Sequence, residues 1–190
     1  MNNDKLKNIE FYKDLYLFEH ERGKFYDTVI QYPTTLLVVF IGGVFYSFKN
    51  YFKIGNICIC TPKDWIFITL LGLFLLSTIV TIYFLSTVFH GFTRRYNYLP
   101  FTGELLNHEN ELYKFHYKYS EGKSTKEKRD DAHQNTCDGF SNNLKNYYVE
   151  LTEINQKIND KRADNYYLTR TFLFIDLLLL LCIGLIGFLN

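Results

Sequence analysis

Residues 65–90 read WIFITLLGLFLLSTIVTIYFLSTVFH, twenty-six residues without one Asp, Glu, Lys or Arg. About 20 apolar residues in a helix suffice to cross a bilayer core. A helix that is apolar on every face has no side to offer water. The run therefore predicts an integral membrane protein, and any function has to work in or beside a membrane. The mean hydropathy of −0.12 resembles that of a water-soluble chain. That average hides a segregation, because the apolar stretches gather at 32–48, 65–90 and 171–189 and nearly all the charge lies elsewhere.

These stretches predict an all-α membrane protein with three transmembrane helices and a cytoplasmic helical bundle or coiled-coil stalk. In the first span, 32–48, Pro33 stands near the start, where a missing N–H costs least. Gly42 and Gly43 allow a close helix approach there. The second span is 65–90 and the third is 171–189. Lys and Arg number five before the first span, three in the 49–64 loop and thirteen between 91 and 170. Positive residues stay on the cytoplasmic side. This places 1–31 and 91–170 in the cytoplasm, with the 49–64 loop and the C-terminus outside. In a bacterial cell the expected location is the inner membrane. The first thirty residues are charged throughout, which predicts no cleaved secretory signal.

Residues 3–31 read as an amphipathic helix with Leu15, Phe18, Arg22, Phe25 and Val29 along one seam. A second helix is expected from Thr102 to about Ser120. Residues 120–135, SEGKSTKEKRDDAHQN, hold a single apolar residue, Ala132, and are expected as a mobile loop. The balanced charges of that stretch argue against nucleic acid as a partner. From Asp138 onward, Phe140, Leu144, Tyr147, Leu151, Ile154 and Ile158 step by 4, 3, 4, 3 and 4, which predicts a heptad seam. No Pro or Gly falls between Gly139 and Gly184, so this helix is expected to run straight into the third span.

Asp176 is the one ionisable residue well inside a predicted span. Such residues face protein or water rather than lipid. It is expected to be either a lumen-facing acid of an oligomeric channel or the partner of an interhelical hydrogen bond, with Thr78, Thr81 or Ser86 as donors. Arg170 lies six residues before it and joins Asp176, Thr78 and Thr81 as a candidate pore or interhelical residue. The hydroxyls of 65–90 suit helix packing first. The five histidines lack ligand spacing, Cys58 and Cys60 are too close for an unstrained bridge, and no CxxC is present. No metal, cofactor or catalytic residue is expected, and the chain reads as a non-enzyme.

Three stretches carry a resemblance: LYLFEHERGKFYDTVIQYPTTLLVVFIGGVFY (15–46), RRYNYLP (94–100) and NQKINDKRADNYYLTRTFLFIDLLLL (155–180). They resemble small bacterial multi-pass membrane proteins. In layout they are similar to transmembrane effectors of prokaryotic anti-phage defence, including the SLATT-type proteins, from which the third span departs. The resemblance implies a homo-oligomer that permeabilises or depolarises the inner membrane when a cytoplasmic sensor protein reports infection. The competing expectations are a non-conducting scaffold that recruits a cytoplasmic partner, and a small enzyme acting on lipid.

Overall fold

Pro33 removes the N–H that would bond the carbonyl of Val29, and its ring crowds that carbonyl. The chain breaks there. In the computed structural model, helix α1 (Asn3–Val29) ends at a turn on Ile30 and α2 (Gln31–Phe52) begins. Three further helices follow: α3 (Pro62–Val88), α4 (Thr102–Tyr119) and α5 (Thr125–Phe188). The structure describes residues 3–52, 61–89, 96–120 and 124–188, and no strand occurs among them. Three stretches are helical, long and apolar enough to cross a membrane: Ile9–Phe52, Pro62–Val88 and Thr125–Gly187. The chain is an all-α membrane protein.

Helix α3 starts on a capping box. Thr61 N donates to Asp64 Oδ2 at 2.7 Å, and Asp64 N donates back to Thr61 Oγ1 at 3.4 Å. Pro62 occupies the first turn, where it forfeits no hydrogen bond. Helix α5 starts the same way. Ser124 N donates to Glu127 Oε2 at 2.9 Å, and Glu127 N donates to Ser124 Oγ at 3.4 Å. This corrects the loop expected over 120–135, because residues 125–135 form the first turns of α5. Polarity alone suggested a loop. Yet Lys, Glu, Arg, Ala and Gln are good helix formers, and the Ser-x-x-Glu start signal was already in the sequence.

The chain divides into two compact units, Met1–Arg22 with Tyr96–Ile158, and Gly23–Arg95 with Asn159–Asn190. In the first, α1 meets α5 through a core of Tyr16, Tyr148 and Leu151, with Leu144 and Leu99 against it. Helix α4 runs antiparallel to α5. Asn143 Nδ2 lies 2.9 Å from His108 Nε2, and a Cβ on Gly139 would stand 3.9 Å from the His116 ring. Asn155 lies in this unit, fully buried. Its side chain clamps the peptide of Asn97, accepting from Asn97 N and donating to Asn97 O, each at 3.2 Å.

The second unit packs α2, α3 and the end of α5 around Leu37, Phe40, Val44, Phe67, Phe74, Leu173 and Ile183. A Cβ on Gly43 would stand 3.2 Å from Leu180 Cδ1, whereas one on Gly42 would meet nothing within 4 Å. Only the second glycine of the pair serves a close approach. At one end Tyr51 Oη donates to Asp64 Oδ1 at 2.7 Å. Its ring stacks on Phe67 at 4.1 Å. The acid that caps α3 thus also ties α3 to α2.

The seam expected on α1 lies one residue out of register, and the one expected on α5 shares Leu151 with the buried face and departs from it on either side. On α1 the buried side chains are Tyr16, Glu19 and Tyr26, followed by Ile30 at the turn, while Leu15, Phe18 and Phe25 are exposed. On α5 Leu151 is buried as expected, with Leu144 packed beside it, while Tyr148, Asn155 and Asn159 are buried in place of Tyr147, Ile154 and Ile158. Apolar scoring picks the greasier of two adjacent positions. The fold instead buries polar residues that find a partner far along the chain, as Asn155 does at Asn97. Cys58 and Cys60 lie outside the described residues, and Cys137 and Cys182 are free.

Candidate functional site

Two ladders of period seven meet in the second unit. Phe67, Phe74, Thr81 and Val88 on α3 are fully buried, or nearly so. On α5 the positions Arg162, Thr169, Asp176 and Ile183 are likewise buried and seven apart, and Asn155 precedes them at the same interval on the same helix. A strict repeat of seven keeps one stripe facing one partner. Apolar residues normally fill such a stripe. On α5 the four consecutive steps from 155 to 176 are Asn, Arg, Thr and Asp.

Arg162 is the largest fully buried side chain among the described residues. Its Nε donates to Val88 O at 2.8 Å, the carbonyl that ends α3. Its NH1 donates to Gly23 O at 3.1 Å, and its NH2 pairs with Asp27 Oδ1 at 2.5 Å. The guanidinium carbon lies 5.3 Å from the centre of the Tyr26 ring. A planar fork with five donors is suited to such a junction. It gathers the second half of α1, the end of α3 and the middle of α5 onto one cation. Around it Tyr26, Ile30 and Val88 form a small apolar core.

Asp176 faces α3, where Thr81 Oγ1 donates to its Oδ2 at 3.1 Å. Thr81 also lies 3.0 Å from the carbonyl of Ser77 on its own helix, so one hydroxyl proton serves two acceptors. Asp176 Oδ1, Ser77 Oγ and Thr78 Oγ1 are buried without a hydrogen-bond partner. Ser77 stands one turn from Thr81, beside the same carboxylate, but outside bonding geometry. Most other hydroxyls of these helices bond their own backbone. Thr34 reaches Ile30 O at 2.8 Å, Ser47 reaches Gly43 O at 3.0 Å, Thr69 reaches Trp65 O at 2.8 Å and Thr169 reaches Asn165 O at 2.9 Å. Ser77 and Thr78 depart from that habit.

Of the four residues singled out from sequence, the structure joins Asp176 to Thr81 and buries Thr78 close by in sequence. Arg170 is exposed, and no hydrogen bond or ion pair joins it to Asp176 among the described residues. Six residues of helix turn through about 600°, which leaves the two side chains about 120° apart. Asp176 is buried within its own chain, with Thr81 of α3 as donor to it. Sequence reasoning passed over Arg162, Asn155 and Asn159. The signal available was the exact sevenfold interval of Asn155, Arg162, Thr169 and Asp176, which a search for apolar periodicity discards.

A groove of about 680 Å³ lies between the start of α2 and the end of α3, lined by Ile30, Thr34, Thr35, Ile82, Leu85 and Phe89 among others. Its threonines and Ser86 bond their own helices, so beside hydrocarbon it offers the amide of Gln31. Among the described residues no three of His, Cys, Asp and Glu come together to hold a metal ion. No protein-family model matches this chain, and neither a curated protein nor a solved structure matches it.

Proposed function

We propose that the chain is an oligomeric membrane effector that permeabilises the inner membrane, gated through helices on the cytoplasmic side. The observation that carries this reading is the buried polar ladder of α5. Buried polar groups with unmet bonds destabilise a fold by about 1–3 kcal/mol each. An apolar ladder of the same shape would hold these helices together better. A seam that keeps Ser77, Thr78 and Asp176 short of partners in hydrocarbon has most to gain from water. Opening it would wet those groups and create a polar path. The same helix carries the ladder from Asn155, outside the apolar stretch, to Asp176 inside it, so a cytoplasmic event on α5 has a direct route to the seam. In the setting that the resemblance implies, the event is contact with a sensor of phage infection.

The test is induced expression in bacteria with a membrane-potential dye, alone and with the neighbouring genes. Collapse of the potential is the expected result. Full polarisation and normal growth in both conditions would overturn the reading.

A non-conducting scaffold is the second reading, and the outer face of α1 favours it. Phe11, Leu15, Phe18 and Phe25 follow heptad spacing and are exposed, Phe18 to 61%. A row of that kind suits a partner helix. Under this reading Phe18→Glu abolishes recruitment of the partner while liposomes bearing the unmodified chain stay sealed.

A further inference from the structure

We propose that the cluster around Asp176 binds one small monovalent cation of sodium's class, with the carboxylate as its only charged ligand. The inference is independent of the permeability reading, since a closed bundle can hold an ion. It starts from charge. Asp176 is fully buried, and no cationic side chain is joined to it among the described residues. Arg170 points away, and Arg162 is committed to Val88, Gly23 and Asp27. A buried acid inside an apolar bundle is neutralised either by a proton or by a bound cation, and the oxygens around this one favour the cation.

The donor atoms are also present. Asp176 Oδ1 and Ser77 Oγ lack hydrogen-bond partners, and each belongs to a side chain more than nine-tenths buried. Thr81 Oγ1 stands 3.1 Å from Oδ2 with its proton already shared between two acceptors. Its lone pairs are therefore available. Hydroxyl and carboxylate oxygens suit hard cations, and the absence of His and Cys disfavours the transition metals. A divalent ion would leave a net positive charge in hydrocarbon, as unfavourable as the bare carboxylate. A single monovalent ion cancels the charge. That Ser77 forgoes the bond to its own helix, unlike Thr69 or Ser47, fits a hydroxyl held ready to coordinate.

The experiment uses the full chain, purified in neutral detergent, and its thermal unfolding in sodium chloride and in choline chloride of equal ionic strength. A ligand bound only by the folded state raises the midpoint as its concentration rises. The midpoint is expected to climb with sodium and not with choline. Asp176→Asn, which keeps an oxygen for Thr81, should lose the sodium-specific rise. Ser77→Ala should need about tenfold more sodium for the same rise, the factor that a change of one decade in affinity represents. Equal midpoints in the two salts, or a sodium rise that survives in Asp176→Asn, would overturn the proposal. Should either variant fail to fold, the unmodified chain decides the matter through carbodiimide labelling of Asp176, read by mass spectrometry. Labelling slowed by sodium and not by choline supports the site. Labelling that sodium leaves unchanged refutes it. Neither readout involves ion flux, so failure here is separate from failure of the permeability test.

Discussion

Arg162 shows most directly how one side chain can set local packing. Its removal strips donors from two buried carbonyls, Val88 O and Gly23 O. Val88 O, at the end of α3, is then stranded, at a loss of about 1–3 kcal/mol, while Gly23 O keeps the bond of its own helix. The half-exposed Asp27 adds little, because water screens its charge. Arg162→Ala should therefore lower the unfolding midpoint in detergent markedly. Arg162→Lys should recover only part, since an ammonium lacks the planar fork. A lysine variant as stable as the native chain would contradict this account. Tyr148 gives a second expectation at the same scale. Burial, with Tyr16 beside it, pushes its phenol above the ordinary value of 10.0. The folded chain keeps that proton at a pH where the unfolded chain has released it. Linkage then makes stability fall as pH rises above 10, whereas below it this phenol contributes no pH dependence. Tyr148→Phe should flatten the alkaline slope, read from denaturation midpoints on either side of that value. Glu153 is lowered by Lys157 at 2.6 Å, but both are on the surface, and such a pair contributes little.

At the scale of single helices, starts and stops were legible in the residue types. Pro33 breaks α1 from α2, Thr61-Pro62 starts α3, and the absence of Pro over 125–188 lets α5 run on. The start of α5 at Ser124 was equally legible, though the charge around it drew the eye to a loop. Ser124→Ala should destabilise the first turn by about 1 kcal/mol. Amide exchange should then quicken at residues 125–128 and not at residues 140–150; uniform quickening would mean that the cap does more than hold one turn. What the sequence concealed was rotation. On α1 and α5 the choice lay between adjacent faces, and the greasier one lost. Asn155 and Arg162 reach partners 58 and 74 residues away, and one-dimensional periodicity carries no record of them. The glycine pair makes the same point. Gly43→Val should weaken the packing against Leu180, while Gly42→Ala should leave the thermal midpoint unchanged or slightly raised, since Ala favours helix by about 1 kcal/mol over Gly. Equal losses at both positions would mean that the approach depends on neither glycine alone.

For the whole molecule, the polar ladder sets stability against use. Replacing Asp176 by Leu together with Thr81 by Val removes a buried acid and its donor as a matched pair. Exchanges of this kind are neutral or stabilise by about 1–4 kcal/mol. The double variant should melt at or above the native midpoint and should no longer depolarise cells. A double variant that still depolarises would show that the polar seam is not the route. The membrane class and the helix count follow from the apolar runs alone, because hydrocarbon permits few other solutions. The candidate site did not emerge as a set: Asp176 and Thr81 stand out as polar residues in greasy text, but Ser77 and Arg162 acquire meaning only when α3 and α5 are brought together.

Because α5 is one uninterrupted rod with a repeat of seven, chain length inside it is a coded quantity. One extra residue between Thr169 and Asp176 would swing Asp176 about 100° away from Thr81. Seven extra residues would restore every face while displacing the acid about 10 Å along the axis. Insertions should therefore differ in their effect on packing according to their remainder on division by seven, a periodic readout that no point substitution supplies.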